Sequence, residues 1–308
     1  MLQKFDHFII VDWSARNAPS PPKPAKDAIW VASGSSELTT ASGRSKPIYC
    51  KYYRTRQQAF DAIHRKLVNL RTDNKRVLLG CDFSFGYPKG LSKALKLKGE
   101  PWVQIWREWH RLIEDDTYNR NNRFRVASEL NRRIGLNLGP FWGAPRGESG
   151  IFLGPTKDFS YPVFVRGKIK LEEKRIVEQT NKKLQASWKL AYIGSVGSQS
   201  LLGIPYLYHL RFKHAWLAEQ TRVWPFETGL RYPEEGGVVL AEIWPSLIER
   251  PKKDRIPDRE QVRTFVQWLR YAQANGTMES LFSGPAKGLL PKEIKCVEKH
   301  EGWILGVH

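Results

Sequence analysis

The sequence predicts an α/β protein in which helices flank a mixed sheet and a large, mostly helical segment is inserted between the fourth and fifth core strands. Short, β-branched apolar runs recur at 8–11, 77–81 and 238–241, and runs of this kind are typical of buried strands. The block between the last two runs has helical spacing and irregular Gly- and Pro-rich links. We therefore divide the chain into a first core part, an insertion and a second core part, at 1–88, 89–236 and 237–308.

The first ninety residues predict a meander followed by a helix and a fourth strand. Residues 28–32 and 47–53 are two strand-like runs joined to the first strand and to each other by polar turns, as in an antiparallel meander. Residues 56–70 are a predicted amphipathic helix, because apolar positions recur at helical intervals. A strand that follows a crossover helix is most easily placed parallel to the first strand, so we expect 77–81 in that position.

The later chain is predicted to be mainly helical before the sheet pattern returns. Residues 102–113 and 124–134 have helical spacing, and another helix follows the strand near 238–242 and runs from Asp258 to about Ala274. The tryptophans of the first of these helices are expected in the core rather than on a base-stacking surface, since large aromatic side chains dominate cores. These tryptophans are Trp102, Trp106 and Trp109.

The composition favours a polyanionic partner. Fifty Lys and Arg against 31 Asp and Glu give a formal net charge of +19, which is typical of proteins that bind nucleic acid. No amphipathic basic helix, lipidation signal or secretory leader is evident, so we expect no membrane association. The three cysteines, Cys50, Cys81 and Cys296, are far apart and indicate neither a disulfide framework nor a zinc cluster. We expect a reducing, cytoplasmic compartment.

An acidic residue closes each of three predicted strands. Asp12, Asp82 and Glu242 each follow an apolar run directly, and burying a carboxylate there costs several kcal/mol unless a cation or hydrogen bonds compensate for it. A single Asp in this position is usually a turn former or a helix cap. Because the arrangement occurs three times, we interpret it as a metal site.

These segments also resemble a known family. The motifs are Ile10-Val11-Asp12-Trp13-Ser14-Ala15, Gly80-Cys81-Asp82-Phe83-Ser84-Phe85-Gly86-Tyr87-Pro88, Gly194-Ser195-Val196-Gly197-Ser198-Gln199, Trp224-Pro225-Phe226-Glu227-Thr228-Gly229 and Ala241-Glu242-Ile243-Trp244-Pro245-Ser246. They are similar to an uncharacterised bacterial family related to the domain of unknown function numbered 429, which is predicted to be a nuclease of ribonuclease H-like fold. The resemblance extends over most of the chain.

The resemblance implies a Mg²⁺- or Mn²⁺-dependent nuclease. In that fold, acids from the first, fourth and a later element converge on divalent ions, and here they would be Asp12, Asp82 and Glu242, with Asp258 as a fourth ligand. Two such ions can activate the attacking water and stabilise the leaving oxygen of a phosphodiester. Asp258 can equally be an ordinary N-cap of the last long helix, which would leave three acids.

Three further segments have a functional and a structural interpretation. Glu227, flanked by aromatic residues and a turn Gly, is assigned to the cleft as a further acid, although it could be a buried carboxylate bound to the backbone. Asn122 and Arg123 could hold a phosphate, or belong to an exposed helix junction. The Gly- and Ser-rich segment 194–198 could cradle an anion, or form a plain turn, and it is not a Walker loop.

A metal-dependent phosphodiester hydrolase is thus the leading functional hypothesis, and two others remain. Sugar kinases and actin-like ATPases share this core and also place an Asp on the first strand, which allows an ATP-dependent phosphotransferase. Their phosphate-binding hairpins usually have Gly and small hydroxyl residues after that Asp, where this chain has Trp13-Ser14-Ala15. The third hypothesis is a nucleic-acid-binding module without catalytic activity.

Overall fold

The computed structural model describes residues 3–192, 194–249, 256–285 and 288–308. Its main sheet consists of the strands β1 (His7–Asp12), β2 (Ile29–Ser35), β3 (Tyr49–Tyr53), β4 (Val77–Cys81), β7 (Thr221–Val223) and β8 (Val238–Glu242), and a separate antiparallel hairpin consists of β5 (Val163–Val165) and β6 (Ile169–Leu171). The six strands of the main sheet lie in the order β3-β2-β1-β4-β8-β7. The strand β1 is antiparallel to β2, and β2 to β3, whereas β1, β4, β8 and β7 run parallel to one another.

The helices cover both faces of this sheet. They are α1 (Arg56–Thr72), α2 (Leu91–Ala94), α3 (Pro101–Leu112), α4 (Arg123–Ile134), α5 (Ile176–Thr180), α6 (Gly197–Phe212), α7 (Ala215–Gln220), α8 (Pro257–Ala274) and α9 (Pro291–Cys296), with a π-helical turn at Val297–Glu301 and short 3₁₀ turns at Arg146–Glu148, Pro245–Leu247 and Ser280–Phe282. No helix among the described residues is long and apolar enough to cross a membrane.

The predicted order of elements in the first ninety residues is confirmed. The strands β1 to β3 form the antiparallel meander, and β4 pairs with β1 in parallel after the crossover helix α1. Helix α1 begins after Thr55, whose hydroxyl accepts a hydrogen bond from the backbone N–H of Gln58, as an N-cap residue does. Near the end of the described chain, Ile304 forms a single parallel bridge with Glu242.

Successive residues of the central strands point to opposite faces of the sheet, and each face has its own core. Ile9 and Val11 pack with α1, α3, α4 and α6, whereas Phe8 and Ile10 pack with α8. A Cβ at Gly80 would lie 2.8 Å from side-chain atoms of both Ile10 and Ile243, so these three positions share the α8 face. This alternation decides which strand-end acids can meet.

The middle of the chain packs mainly on the face opposite α8. Trp102, Trp106 and Trp109 of α3 are buried there, as predicted. The ring of Trp102 stacks on Phe226 at a centroid distance of 4.9 Å, and the indole N–H of Trp106 donates to the carbonyl of Phe85 at 2.7 Å. The same part of the chain also supplies β7, so it contributes a strand to the sheet as well as helices. Its separation as an insertion stays a prediction.

Candidate active site

Asp12 and Asp82 meet at the carboxyl ends of two adjacent parallel strands. Val11 is paired with Cys81 in the sheet, so the next residue of each strand projects to the α8 face at the same level. The two carboxyl groups are hydrogen-bonded to each other. One oxygen of Asp82 also accepts the backbone N–H of Trp13 at 2.6 Å, which fixes Asp82 against the end of β1. Two of the three strand-end acids of the predicted site are thus in contact with each other.

Burial raises the pKa of both carboxyl groups. Burial raises the pKa of Asp12 well above its usual range, and the negative charges of Asp82 and then Asp258 raise it further. Burial also raises the pKa of Asp82 to about 7, against the opposing hydrogen bond from Trp13. Two carboxylates this close cannot both be ionised without a compensating cation, so a proton or a divalent ion must lie between them.

A third and a fourth carboxylate approach this pair from the start of α8 and from a loop. Asp258 is the second residue of α8, since Ile256 occupies the cap position and Pro257 begins the helix, so Asp258 is not the N-cap residue. Its Oδ2 accepts the backbone N–H of Asp27 at 2.6 Å. The charges of Asp258 and Asp27 both raise the pKa of Asp12, which shows that both lie near it.

Three acids line an open cavity of about 390 Å³ together with basic and hydroxyl side chains. The acids are Asp12, Asp27 and Asp258, and the basic and hydroxyl residues, called the basic wall below, are Arg16, Arg123, Ser195 and Ser198. Asp82 lines a second cavity, of about 120 Å³. Gln199 borders both cavities, and its side-chain amide donates to the carbonyl of Trp13 at 2.6 Å and reaches Asp82 Oδ2 at 3.4 Å.

Glu242 borders the second cavity together with Asp82 but has partners of its own, because its strand is in a different register. It is paired with Cys81, one residue before Asp82, and its side chain therefore points to the face opposite Asp82. There Arg175 binds both of its oxygens, at 2.6 and 2.8 Å, and the backbone N–H of Phe85 donates to it at 2.9 Å. The predicted role of Glu242 as a metal ligand thus has no support in these contacts.

Glu227 also has partners of its own. Both oxygens accept from the guanidinium of Arg211, with the shortest contact at 2.6 Å, and Oε2 accepts the backbone N–H of Val223 at 2.8 Å. It lines a different cavity, together with Arg231 and Glu298. These contacts correspond to the alternative interpretation, a carboxylate bound to the backbone at the end of β7.

The donor set at Asp12 and Asp82 suits a hydrated hard cation. Within the described ranges, no three Asp, Glu, His or Cys side chains are arranged to enclose a metal ion. Mg²⁺, however, usually keeps several waters and needs only one or two protein carboxylates together with substrate phosphate. The carboxylate pair beside an open cavity fits that kind of site, and Asp258 is near enough to act on the ion electrostatically or through water.

The basic wall contains two of the segments that the sequence indicated for anion binding. Arg123 is buried, and it donates to Ser198 Oγ at 2.8 Å, to Asn121 Oδ1 at 2.8 Å and to Asn17 Oδ1. Asn122 instead holds the junction between α3 and α4, since its amide bonds the backbone of residues 112 and 114. The segment 194–198 leads into α6, and its serines face the cavity.

Sequence reasoning missed Asp27 and Gln199. Asp27 closes a Pro- and Lys-rich loop, which offers no pattern beyond that of an ordinary polar turn. It adopts a left-handed backbone conformation with a φ of 55°, which Asp tolerates better than most residues. Gln199 directly follows the Gly- and Ser-rich segment, so an anion-binding interpretation of that segment could have included it.

The raised pKa of Asp82 predicts an unusual dependence of stability on pH. The pKa of Asp82 rises from 3.8 to about 7 on folding, so between these values the folded chain binds more protons than the unfolded chain. The contribution of the pair to the free energy of unfolding therefore falls as the pH rises through this interval. In EDTA, we expect a lower melting temperature at pH 8 than at pH 5, with Mn²⁺ restoring part of the loss. Asp82→Asn should reduce this pH dependence, and an unchanged profile in that variant would contradict the raised pKa.

No protein-family model matches the chain, and comparison with curated proteins and with solved structures finds no significant match. The functional evidence is therefore the geometry of this cavity and the charge of the chain.

Proposed function

We propose that this chain is a metal-dependent phosphodiester hydrolase, in effect a nuclease, that acts through Asp12 and Asp82 with Asp258 beside them. The observation that carries the proposal is the hydrogen-bonded carboxyl pair at the ends of two parallel strands, with Asp12 lining a cavity that basic side chains also line. Burial raises the pKa of both acids, and a divalent cation would stabilise their ionised forms.

The sheet supports the finer fold assignment. The observations that support it are the meander β1–β3, the crossover to β4 and the parallel addition of β8. The strands β4 and β8 are hydrogen-bonded neighbours although residues 82–237 separate them, which is consistent with an insertion at this point. We accordingly infer a ribonuclease H-like core and a relationship to the family of the domain of unknown function numbered 429.

Each residue of the site has a proposed task. Asp12 and Asp82 would hold Mg²⁺ or Mn²⁺, and the ion, when bound, would polarise a phosphoryl oxygen and lower the pKa of water. Asp82 is oriented by the N–H of Trp13, and Gln199 holds the carbonyl of the same residue. Asp258 adds negative charge at the mouth and fixes the loop at Asp27. Glu242 and Glu227 are not part of this proposal.

The charge of the chain supports a polyanionic substrate. A net charge of +19 draws nucleic acid towards the surface at moderate ionic strength, independently of its sequence. The acidic pair would repel such a substrate unless a cation neutralised it, so the metal and the substrate are expected to bind cooperatively. A nucleotide-containing small molecule is also polyanionic and would likewise need a cation to approach the acidic pair.

The proposal is tested by incubating the protein with single-stranded DNA, duplex DNA and RNA in Mg²⁺, Mn²⁺ or EDTA. We expect cleavage that depends on the divalent ion. Binding that survives EDTA without any cleavage would instead indicate a non-catalytic module. Thermal stabilisation by ATP and Mg²⁺, again without cleavage, would indicate a phosphotransferase.

Asp258→Asn is expected to reduce this cleavage about 10- to 100-fold, the usual cost of removing a group that supports metal ligands. The physical reason is that Asp258 contributes charge near Asp12 and holds the loop at Asp27. Initial rates against Mn²⁺ concentration measure the effect. Glu260→Gln, in the same turn of α8 but paired with Arg263, is the matched control and should retain the wild-type rate. Equal rates in the two variants would remove Asp258 from the site.

A further inference from the structure

Arg123 is a buried guanidinium whose hydrogen-bond partners are all neutral. Only 7% of the residue is exposed, and its acceptors are side-chain oxygens of Ser198, Asn121 and Asn17. Within the described ranges no carboxylate lies within 4.0 Å of it, and its Nη2 donates no hydrogen bond. Burial of a charge without an opposite charge is unfavourable, and here burial, followed by the nearby charge of Arg56, lowers the pKa of Arg123 to about 10.

The other fully buried arginines are compensated differently. Arg56 is bound at 2.6 Å by Asp115, and Arg175 is bound by Glu178 and Glu242. Arg76 and Arg270 have no carboxylate within ion-pair distance in the described residues, but each is surrounded by several backbone carbonyls. Arg123 differs from these four because it lines the open cavity that contains the acidic group.

The surroundings of Arg123 also favour an anion. Ser195 and Ser198 line the cavity next to it, and Ser198 lies in the first turn of α6, a helix of 16 residues. The N-terminus of a helix carries partial positive charge and N–H groups without intrahelical partners. Arg16 is exposed at the same cavity. The cavity that Asp12 and Asp258 line therefore also presents positive charge, and a guanidinium can bind two oxygens of one phosphate.

We propose that Arg123 is the phosphate-binding residue of this cavity and holds a phosphate of the substrate in the space that Asp12 also lines. A phosphodiester in the cavity of about 390 Å³ would accept hydrogen bonds from the guanidinium and meet the cation that Asp12 and Asp82 would hold. The substrate class is then a compound with a phosphate ester. This role deepens the proposed function, although anion binding by Arg123 does not itself require catalysis.

The test is the binding of inorganic phosphate to the full chain in EDTA, measured by calorimetric titration. We expect Arg123→Gln to weaken binding at least about tenfold, because a charge-assisted hydrogen bond is lost. Arg132→Gln, on the same helix α4 but exposed and paired with Glu129, should bind phosphate as the wild type does. Unchanged affinity in folded Arg123→Gln would overturn the proposal.

The variant Asp12→Asn distinguishes a failure of the anion-site proposal from a failure of the proposed hydrolase function. The substitution removes an acid from the same cavity and adds no negative charge, so phosphate should bind at least as tightly as in the wild type even though cleavage is lost. If Asp12→Asn leaves cleavage intact while Arg123→Gln still loses phosphate, the hydrolase assignment fails and the anion site stands. If phosphate affinity falls in Asp12→Asn and not in Arg123→Gln, the anion site fails.

Removal of a buried arginine could also prevent folding, and two further measurements address that case. Arg123→Lys keeps the charge but not the planar fork, and it should retain folding with intermediate phosphate affinity. The second measurement is a crystal structure of the wild-type protein soaked in phosphate, which needs no substitution. An anion within hydrogen-bond distance of the Arg123 guanidinium supports the proposal, and anions bound only elsewhere, or none, contradict it.

Discussion

Replacement of Asp12 by Asn is expected to abolish metal-dependent cleavage, with a loss of about 1000-fold or more, equivalent to about 4 kcal/mol of transition-state stabilisation. Asn keeps the size of the side chain but cannot supply the anionic oxygen that a hard cation prefers. Asp12 is also the residue on which the charges of Asp82, Asp258 and Asp27 all act. Single-turnover cleavage measures the loss of rate, and Mn²⁺ titration measures the loss of metal affinity.

The same substitution should stabilise the metal-free protein at pH 8. Burial and the charge of Asp82 raise the pKa of Asp12, so at pH 8 the folded chain must either bury this negative charge or take up a proton, and Asn removes that cost. We expect a higher melting temperature than that of the wild type in EDTA, and a loss of the stabilisation by Mn²⁺. This combination distinguishes a metal site from an ordinary structural acid, whose removal would lower stability.

Asp61→Asn is the matched control for this prediction. Asp61 lies on α1, where it accepts a hydrogen bond from Gln57, and it is not among the residues that line the cavity. Its substitution should change neither cleavage nor Mn²⁺ binding. Full activity and unchanged Mn²⁺ affinity in Asp12→Asn would end the hydrolase assignment.

Replacement of Glu242 by Ala is expected to have the opposite profile, a large loss of stability without loss of Mn²⁺ affinity. Its carboxylate is 3% exposed and forms a two-point ion pair with Arg175, which is itself buried and bound to Glu178 and to Ser84. Removing one partner of a buried ion pair leaves a charge that water cannot solvate, and this typically costs about 3–5 kcal/mol. Urea unfolding measures the change.

Two further variants make this second prediction specific. Glu242→Gln retains the shape and one carbonyl acceptor for Arg175, so it should lose less stability than Glu242→Ala. Glu235→Ala removes an exposed carboxylate whose contact with Arg222 is 3.7 Å, and it should change the free energy of unfolding by less than about 0.5 kcal/mol. If folded Glu242→Gln binds Mn²⁺ much more weakly than the wild type, Glu242 is a ligand after all.

The contrast between Asp82 and Glu242 shows how far strand patterns can locate a site. An apolar run indicates where a strand ends to within about a residue, and this was sufficient to identify β1, β4 and β8. Side chains alternate between faces with a period of two, however, so a shift of one residue reverses the side of the sheet. The pairing of Glu242 with Cys81 is set by hydrogen bonds between strands and has no signature in the local pattern.

The basic wall could be predicted only in part. Arg123 and the segment 194–198 were each recognisable as possible phosphate contacts, but nothing in their separate patterns indicated that they meet. In the folded chain Arg123 Nε donates to Ser198 Oγ across 75 positions of sequence. Such contacts depend on how α4 and α6 pack over one face of the sheet, which is a collective property of the core.

The amino-acid pattern alone therefore determined the order of strands and helices, the parallel pairing of β1 with β4 and the meeting of Asp12 with Asp82, because periodicity and crossover geometry are local rules. Tertiary structure decided the rest of the site. It gave Glu242 a buried partner in Arg175, brought Asp258 and Asp27 together, and placed a buried arginine in the cavity that Asp12 lines. These features arise from contacts between residues far apart in sequence, and close packing selects those contacts only when the whole chain is folded.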